Sequence, residues 1–193
     1  MKIFIRISLL ALGILLGLCI VAAMKPDSFR VERSIVIDAP AEKIFPLVAD
    51  LRAFTRWSPY EARDPAMQRT FSAAPVATGP GASYAWDGNK DVGAGRMEIL
   101  SSEAPRTVVI QLDFQRPMEA HNTVVFALAP NVGAGGDGDS KSTRVSWSME
   151  GPMPFVSKLF SIFMNFDTMV GKDFEAGLDN LKTLAENGKG GRA

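Results

Sequence analysis

The segment from residue 33 to residue 59 constrains the fold of this chain more than any other part of its sequence. β-branched residues recur over residues 29–37 and predict a strand, which ends at Asp38-Ala39-Pro40 because proline cannot continue a ladder. The residues that follow place apolar side chains at helical spacing and so predict an amphipathic helix. They are Ile44, Leu47, Val48 and Leu51.

Three aromatic residues follow the predicted helix: Phe54, Trp57 and Tyr60. We expect them to form a short second helix that closes one end of a sheet. Core packing is the simplest interpretation of such large side chains, since each buries an extensive apolar surface.

Five later segments alternate apolar and polar residues with a period of two, as half-buried strands do. They span residues 83–86, 96–100, 107–114, 123–128 and 143–149. Residues 68–72 are a weaker candidate. Gly- and Pro-containing turns separate the segments and favour an antiparallel meander. The Gly-, Asp- and Ser-rich run 131–142 is expected to be a mobile hairpin loop.

The parity of each strand assigns its residues to one of two faces. The concave face is predicted to carry Val108, Ile110, Leu112, Phe114, Val124, Phe126, Leu128, Val145, Trp147 and Met149. The opposite face, which carries Gln111, Asp113, Ser146 and Ser148, is expected to face water.

The chain is expected to be helical from Gly151-Pro-Met-Pro154 to about Glu186. One apolar stripe at i, i+3, i+4 spacing predicts the buried side of this helix. It consists of Leu159, Phe163, Phe166, Val170, Phe174, Leu178 and Leu181. Phe160 and Met164, with Val156, are left outside that stripe, and we expect them at the mouth of a pocket or in contact with lipid.

This order of elements, together with Ile-Asp-Ala-Pro40, Trp57 and the motif Gly171-Lys-Asp-Phe-Glu-Ala-Gly-Leu-Asp-Asn-Leu-Lys182, resembles the SRPBCC superfamily. The two motifs are similar to those of its polyketide cyclase/dehydrase and lipid-transport branch, which is related to START domains. The resemblance implies an α+β helix-grip fold, in which an antiparallel sheet of six to seven strands wraps around a long C-terminal helix. It also implies a cavity for a hydrophobic ligand, although many functions share this fold.

Residues 7–24 are apolar apart from Ser8 and glycines, and as a helix they would cover about 27 Å, close to the thickness of a bilayer core. A signal peptide cleaved after Val21-Ala22-Ala23 is one interpretation. An uncleaved anchor is favoured, because the run is longer than a signal-peptide core. Cys19 is not expected to be lipidated, since Leu18 occupies a position that requires a small residue.

Lys2 and Arg6 favour a single-pass protein of the cell (inner) membrane with its domain outside the cytoplasm, in the periplasm. Lys25, Arg30 and Arg33 lie just beyond the apolar run and oppose that orientation. The sequence therefore predicts an anchor at 1–25, one domain at 26–187 and a disordered tail at 188–193.

Charge and cysteine content exclude several classes of function. Residues 25–193 carry 19 basic and 21 acidic side chains, which argues against a nucleic-acid partner. The only cysteine is Cys19, so the domain has no disulfide and no thiol chemistry. A nucleophilic triad or a zinc site needs several convergent ligands, and the chain has a single histidine. We predict no catalytic residue, no metal and no cofactor.

The remaining polar candidates are few. Strand parity places His121 off the concave face and Asn122 on it, where an amide could hydrogen-bond a ligand or be satisfied in the core. The acidic residues Glu98, Asp113 and Glu150 have outward parity. Arg33 falls in apolar register, so either a bulge turns it to solvent or it contacts an anionic ligand head group at the cavity mouth.

Three functions are left open: a membrane-anchored module that binds or transports a small hydrophobic molecule or lipid, a cyclase- or dehydratase-type enzyme, and a non-catalytic domain for an unknown protein partner. The first is favoured, because methionine and aromatic residues suit a pocket for irregular apolar molecules. The predicted cavity residues are Trp57, Tyr84, Trp86, Met97, Phe114, Met118, Asn122, Phe126, Trp147, Met149, Phe160, Phe163 and Phe166.

Overall fold

The protein is described here by a computed structural model that covers residues 2–73, 76–132 and 138–187. The helices are α1 (Lys2–Ala23), α2 (Ala41–Ala49), α3 (Leu51–Phe54), α4 (Phe155–Phe163) and α5 (Phe166–Asn187). The strands are β1 (Ser28–Ile37), β2 (Gln68–Phe71), β3 (Ser83–Asp87), β4 (Ala94–Glu103), β5 (Thr107–Arg116), β6 (Ala120–Val132) and β7 (Gly138–Pro152).

All seven strands form one antiparallel sheet in the order β1-β7-β6-β5-β4-β3-β2. The first strand pairs with the last, so the sheet curls around α5, which packs against β1 and β7. The concave residues predicted from parity are buried, among them Val108, Ile110, Phe126 and Val145. The helix-grip fold expected from the sequence is therefore confirmed.

The convex face is less open to water than its polar sequence suggests. Gln111, Asp113 and Ser146 are half-buried there, and Ser148 is buried. Ser148 pairs with Glu32 of β1 and Val125 of β6, and these neighbours cover its small side chain on both sides.

The hairpin between β6 and β7 differs from the sequence prediction. Residues 131–132 and 138–142 belong to the two strands, with Val132 opposite Gly138, so the connection is shorter than the predicted loop over 131–142. Regular pairing overrides the low strand propensity of this Gly-rich run. Residues 133–137, and the predicted tail at 188–193, lie outside the described residues.

The second short helix is also shorter than predicted. It covers only Leu51–Phe54 and begins where the Asp50 side chain accepts a hydrogen bond from the Arg52 N–H at 2.8 Å. Trp57 and Tyr60 lie in the turns that follow. Their burial depends on tertiary packing and not on helical periodicity.

The C-terminal helical region is broken into two helices, where the sequence predicted one continuous helix. Met164 adopts an extended conformation after α4, and the side chain of Asn165 accepts the Thr168 N–H at 3.0 Å. Asn165 is thus the N-cap of α5, a role for which asparagine is among the best residues. The stripe predicted to run unbroken from Leu159 to Leu181 therefore ends at the break.

Arg33 lies on the concave side of β1, so the bulge expected for it is absent, and the cavity lining does not include it. The β1–β7 register is continuous at Arg33, without a bulge. Its guanidinium forms ion pairs at 2.9 Å with both Asp167 and Glu175 of α5, and the side chain is 24% exposed. Arg33 therefore joins the first strand to the last helix.

Helix α1 extends away from the sheet. Within the described residues, Ile3–Ala23 is the one helix long and apolar enough to cross a membrane, and its spanning window is not buried by the rest of the chain. This helix contacts α4, and Ala22 near its end is buried.

Candidate ligand cavity

A cavity of about 800 Å³ lies between the concave face of the sheet and the helices α4 and α5. Its inner end is aromatic. The rings of Trp147 and Phe174 stack there, with centroids 4.1 Å apart and planes 9° apart, and Phe126 lies 5.1 Å from the same tryptophan. The stack brings α5 down onto the sheet, while the space beyond it, toward α4, stays open.

The mouth of the cavity lies between α4 and two turns of the sheet. Residues 90–93 form one side and residues 116–120 form the other. Apolar side chains rim the opening and are largely exposed: Met118, Val156, Phe160 (58%) and Met164. A large apolar interior that opens through an apolar rim suits a hydrophobic guest better than a polar one.

Two buried polar atoms of cavity-lining residues have no hydrogen-bond partner among the described residues. They are Oδ1 of Asn122 and Nε1 of Trp147. Buried polar groups are satisfied in most proteins, so an unpaired acceptor and an unpaired donor beside one cavity call for an explanation. Asn122 is buried against Gly151, as its inward parity predicted.

The wall also contains a polar cluster that the sequence analysis missed. The Tyr84 hydroxyl donates to Oε1 of Glu61 at 3.0 Å, and Arg69 donates to Oε2 of the same carboxylate at 2.7 Å. Burial raises the pKa of Tyr84, and the nearby Glu61 charge raises it further. Glu61 lies in a turn outside the strands, so strand parity carried no signal for it.

A second tyrosine lines the wall near this cluster. Tyr60 lies close to Asp173 of α5, which forms an ion pair with Arg63. Burial is the main reason that the pKa of Tyr60 is raised, followed by the charge of Asp173. Both phenols thus remain protonated at neutral pH and can donate hydrogen bonds.

Eleven of the thirteen residues predicted for the cavity line it. They are Tyr84, Trp86, Met97, Phe114, Met118, Asn122, Phe126, Trp147, Met149, Phe160 and Phe166. Trp57 and Phe163 do not. Contact of any of these residues with a ligand stays a prediction.

Trp57 lies behind the cavity wall. It is buried, its Nε1 donates to the carbonyl oxygen of Leu47 at 2.9 Å, and its ring meets Trp147 edge-on with centroids 5.5 Å apart. Phe163 is 75% exposed on α4 and faces away from the cavity. The break at Met164–Asn165 separates Phe163 from α5, so this ring does not share the buried face that Phe166 and Phe174 occupy.

His121 lies on the convex face, as parity predicted. Its side chain is 73% exposed and its Nδ1 is 2.7 Å from Oδ1 of Asp113. Among the described residues, no group of three or more His, Cys, Asp or Glu side chains is placed to hold a metal ion.

An antiparallel sheet that wraps around a terminal helix, with an apolar cavity between them, defines a helix-grip protein. The chain belongs to the family described as polyketide cyclase / dehydrase and lipid transport, whose model matches residues 28–186. This family is part of the SRPBCC superfamily.

Solved structures of distant relatives support the same fold. Protein CV1439 from Chromobacterium violaceum is 15% identical, with a TM-score of 0.54 over 84% of this chain and 99% of its own. The Aha1 dimer from Colwellia psychrerythraea is 19% identical, with a TM-score of 0.55 over 84% and 99%. Ara h 8.0201 is 13% identical, with a TM-score of 0.54 over 83% and 99%. The search of curated proteins finds no match.

Proposed function

We propose that this protein is a membrane-anchored module that binds or transports a small hydrophobic molecule or lipid. The observation that carries the proposal is the cavity of about 800 Å³ with an apolar interior and an apolar rim. Ligand pockets in proteins typically measure roughly 300–1,000 Å³ and are lined mainly by apolar and aromatic side chains. The volume therefore suits a lipid-sized guest.

The anchor gives such a module a physical advantage. A lipophile that leaves the bilayer meets a tethered pocket at a far higher effective concentration than a pocket free in solution. We assign α1 as an uncleaved single-pass helix of the inner membrane, with residues 25–193 in the periplasm. Amino-terminal sequencing of the membrane fraction and protease accessibility in spheroplasts test the two parts of this assignment. A mature chain that starts at Met24 and is free of membrane contradicts it.

The cavity itself is tested with a matched pair of variants on β6. Val124 lines the cavity and its neighbour Val125 faces outward. Val124→Phe adds bulk inside the cavity, whereas Val125→Phe adds the same bulk outside it. The full chain is purified into nanodiscs that contain a pyrene-labelled fatty acid, and bound probe is measured by native mass spectrometry and fluorescence.

We expect Val124→Phe to lower probe binding by roughly tenfold, which corresponds to about 1.4 kcal/mol, while Val125→Phe leaves it unchanged. Equal binding by both variants, with both folded, would mean that the guest does not occupy the cavity. No binding by the wild-type chain to this probe or to the lipids of its native membrane would contradict the proposed function.

A second candidate, an enzyme of cyclase or dehydratase type, is favoured by one observation. The Tyr84–Glu61 pair places a proton donor and a carboxylate on the cavity wall. Arg69 forms an ion pair with that carboxylate and occupies its Oε2. Turnover of a hydrophobic carbonyl substrate that Tyr84→Phe abolishes, with ligand binding retained, would favour the enzyme.

A further inference from the structure

We propose that α4 is a lid seated on the membrane. Its outer apolar stripe, Phe155, Leu159 and Phe163, lies in the interfacial layer of the bilayer that α1 spans, and its inner stripe covers the cavity mouth. The inference rests on the proposed function, to which it adds the surface that meets lipid and the route by which the guest enters.

The two stripes follow from helix geometry and from which residues line the cavity; in the outer stripe Phe155 and Phe163 are exposed and Leu159 is half-buried. Residues four apart share one side of a helix, so Phe155, Leu159 and Phe163 form one row. Val156 and Phe160, followed by Met164 at the helix end, form a second row rotated by about 100°. The second row lines the cavity, and none of the first row does. Phe163 is the most exposed phenylalanine of α4.

The polar side of α4 is fastened to the end of α1 instead of facing water. Lys25 donates from Nζ to the carbonyl oxygen and to Oγ of Ser161, at 2.8 and 2.9 Å. Lys158 donates to Asp27 at 2.5 Å, and its own side chain is only 7% exposed. This bond holds the pKa of Asp27 below its usual value. Two short cross-links thus set α4 beside the residues where α1 ends.

The position of α1 indicates that lipid covers the outer stripe of α4. The apolar side chains of α1 are exposed along its length, and the hydrocarbon core of a bilayer can cover an apolar helix of this length. Because Lys25 and Asp27 follow α1 directly, α4 lies at the depth where the bilayer meets water. A nine-residue helix is about 14 Å long, too short to span a bilayer but long enough to lie in its interface.

The arrangement gives a route that avoids water. A lipophile that leaves the bilayer beside α4 passes from the outer stripe around the helix to Phe160 and Met164 and then into the cavity. The break at Met164–Asn165 separates α4 from α5, so the helix over the mouth is not continuous with the helix that stacks Phe174 on Trp147.

The position of the lid is measured with a fluorophore. In a Cys19→Ser background, the full chain carries an NBD label at Phe163→Cys or, as a control, at Thr183→Cys on an exposed face of α5. The chains are inserted in phosphatidylcholine/phosphatidylglycerol vesicles that contain doxyl lipids. We expect the label at 163 to be blue-shifted and quenched by shallow doxyl groups, and the label at 183 to be quenched only by aqueous iodide.

Two outcomes overturn the inference. If position 163 is as accessible to iodide as position 183, the stripe faces water. If its blue shift persists without doxyl quenching and is lost at one chain per nanodisc, a second copy of this chain covers the stripe.

A transfer assay separates this inference from the proposed function. Phe163→Asp is expected to slow uptake of pyrene-labelled fatty acid from the vesicle that holds the anchor by roughly tenfold, since a charge replaces the ring that the proposal places in the bilayer interface. Uptake of the same probe from cyclodextrin should be unchanged. If a folded Phe163→Asp variant takes up the probe more slowly from both the vesicle and cyclodextrin, the stripe has no membrane role. If neither the variant nor the wild type binds the probe, the proposed function is contradicted instead.

Discussion

The guanidinium of Arg33 lies directly against the backbone of Gly171, where a Cβ atom would come within 2.0 Å of Nη2. Glycine at this position lets α5 approach β1 closely enough for Asp167 and Glu175 to reach the arginine from either side. Close packing against Arg33 thus explains why the family motif begins with a glycine, Gly171.

Substitution of this glycine tests the close approach. Gly171→Val is expected to lower the free energy of unfolding by about 1–3 kcal/mol, because overpacking moves a guanidinium that three hydrogen-bonded groups hold in place. Ala176→Val, on an exposed face of the same helix, controls for helix propensity and should cost about 0.5 kcal/mol. Chemical denaturation followed by tryptophan fluorescence measures both, and equal costs would show that the contact is unimportant.

The arginine itself can be compared with a neighbour on β1. Arg30 also pairs with two carboxylates, Glu32 and Glu150, but on the exposed side of the strand. We expect Arg33→Ala to lower the melting temperature several times as much as Arg30→Ala, because the Arg33 side chain is 24% exposed and that of Arg30 is 55% exposed, and water weakens exposed ion pairs. Similar shifts in the two melting temperatures would contradict this assignment.

The pH dependence of the same contact has a definite sign. Arg33 holds the pKa of the Asp167 carboxyl below its usual value, so the pair adds stability at pH values above the unfolded pKa of about 3.9. That contribution is lost as the pH falls through the folded pKa. The stability difference between the wild type and Arg33→Ala should be constant above about pH 5 and shrink below pH 4. A difference that grows on acidification would reverse the sign and refute the argument.

Truncation of two phenylalanines in the C-terminal region should change the free energy of unfolding by very different amounts. Phe174→Ala removes a buried ring stacked on Trp147 and is expected to cost about 3–5 kcal/mol. Phe163→Ala removes an exposed ring and should change the free energy of unfolding by less than about 0.5 kcal/mol. Thermal unfolding of the full chain in detergent, followed by near-ultraviolet circular dichroism, compares them. A large loss of unfolding free energy for Phe163→Ala would show that this ring is part of the core.

Adjacent residues on β6 distinguish the two faces of the sheet. His121 is exposed on the convex face, whereas Asn122 is buried on the cavity side with an unpaired carbonyl oxygen. We expect His121→Ala to leave binding of the pyrene-labelled fatty acid unchanged and Asn122→Leu to alter it at least threefold, in either direction, because the polarity of the wall changes. A hundredfold loss for His121→Ala, about 2.7 kcal/mol, would contradict the strand parity.

Local pattern predicted most of the sheet, because a strand with one buried face must alternate apolar and polar residues. Parity alone therefore assigns to the concave side Val108, Ile110, Phe126 and Trp147, all of which are buried. The same rule separated His121 from Asn122. The apolar run at the amino terminus likewise indicated α1 from its length alone.

Tertiary structure decided what periodicity does not encode. Whether Arg33 turned to solvent or inward depended on carboxylates more than 130 positions away in the chain, Asp167 and Glu175. Glu61 reaches the cavity from a turn, where no repeating pattern assigns a side chain to a face. The break at Asn165 separates Phe163 from the stripe that contains Phe166 and Phe174. The break depends on a capping hydrogen bond, and the spacing of apolar residues does not predict such a bond. Faces of regular elements follow from the sequence, since backbone geometry repeats, while the partners of charged groups and the ends of helices follow only from which distant segments the fold brings together.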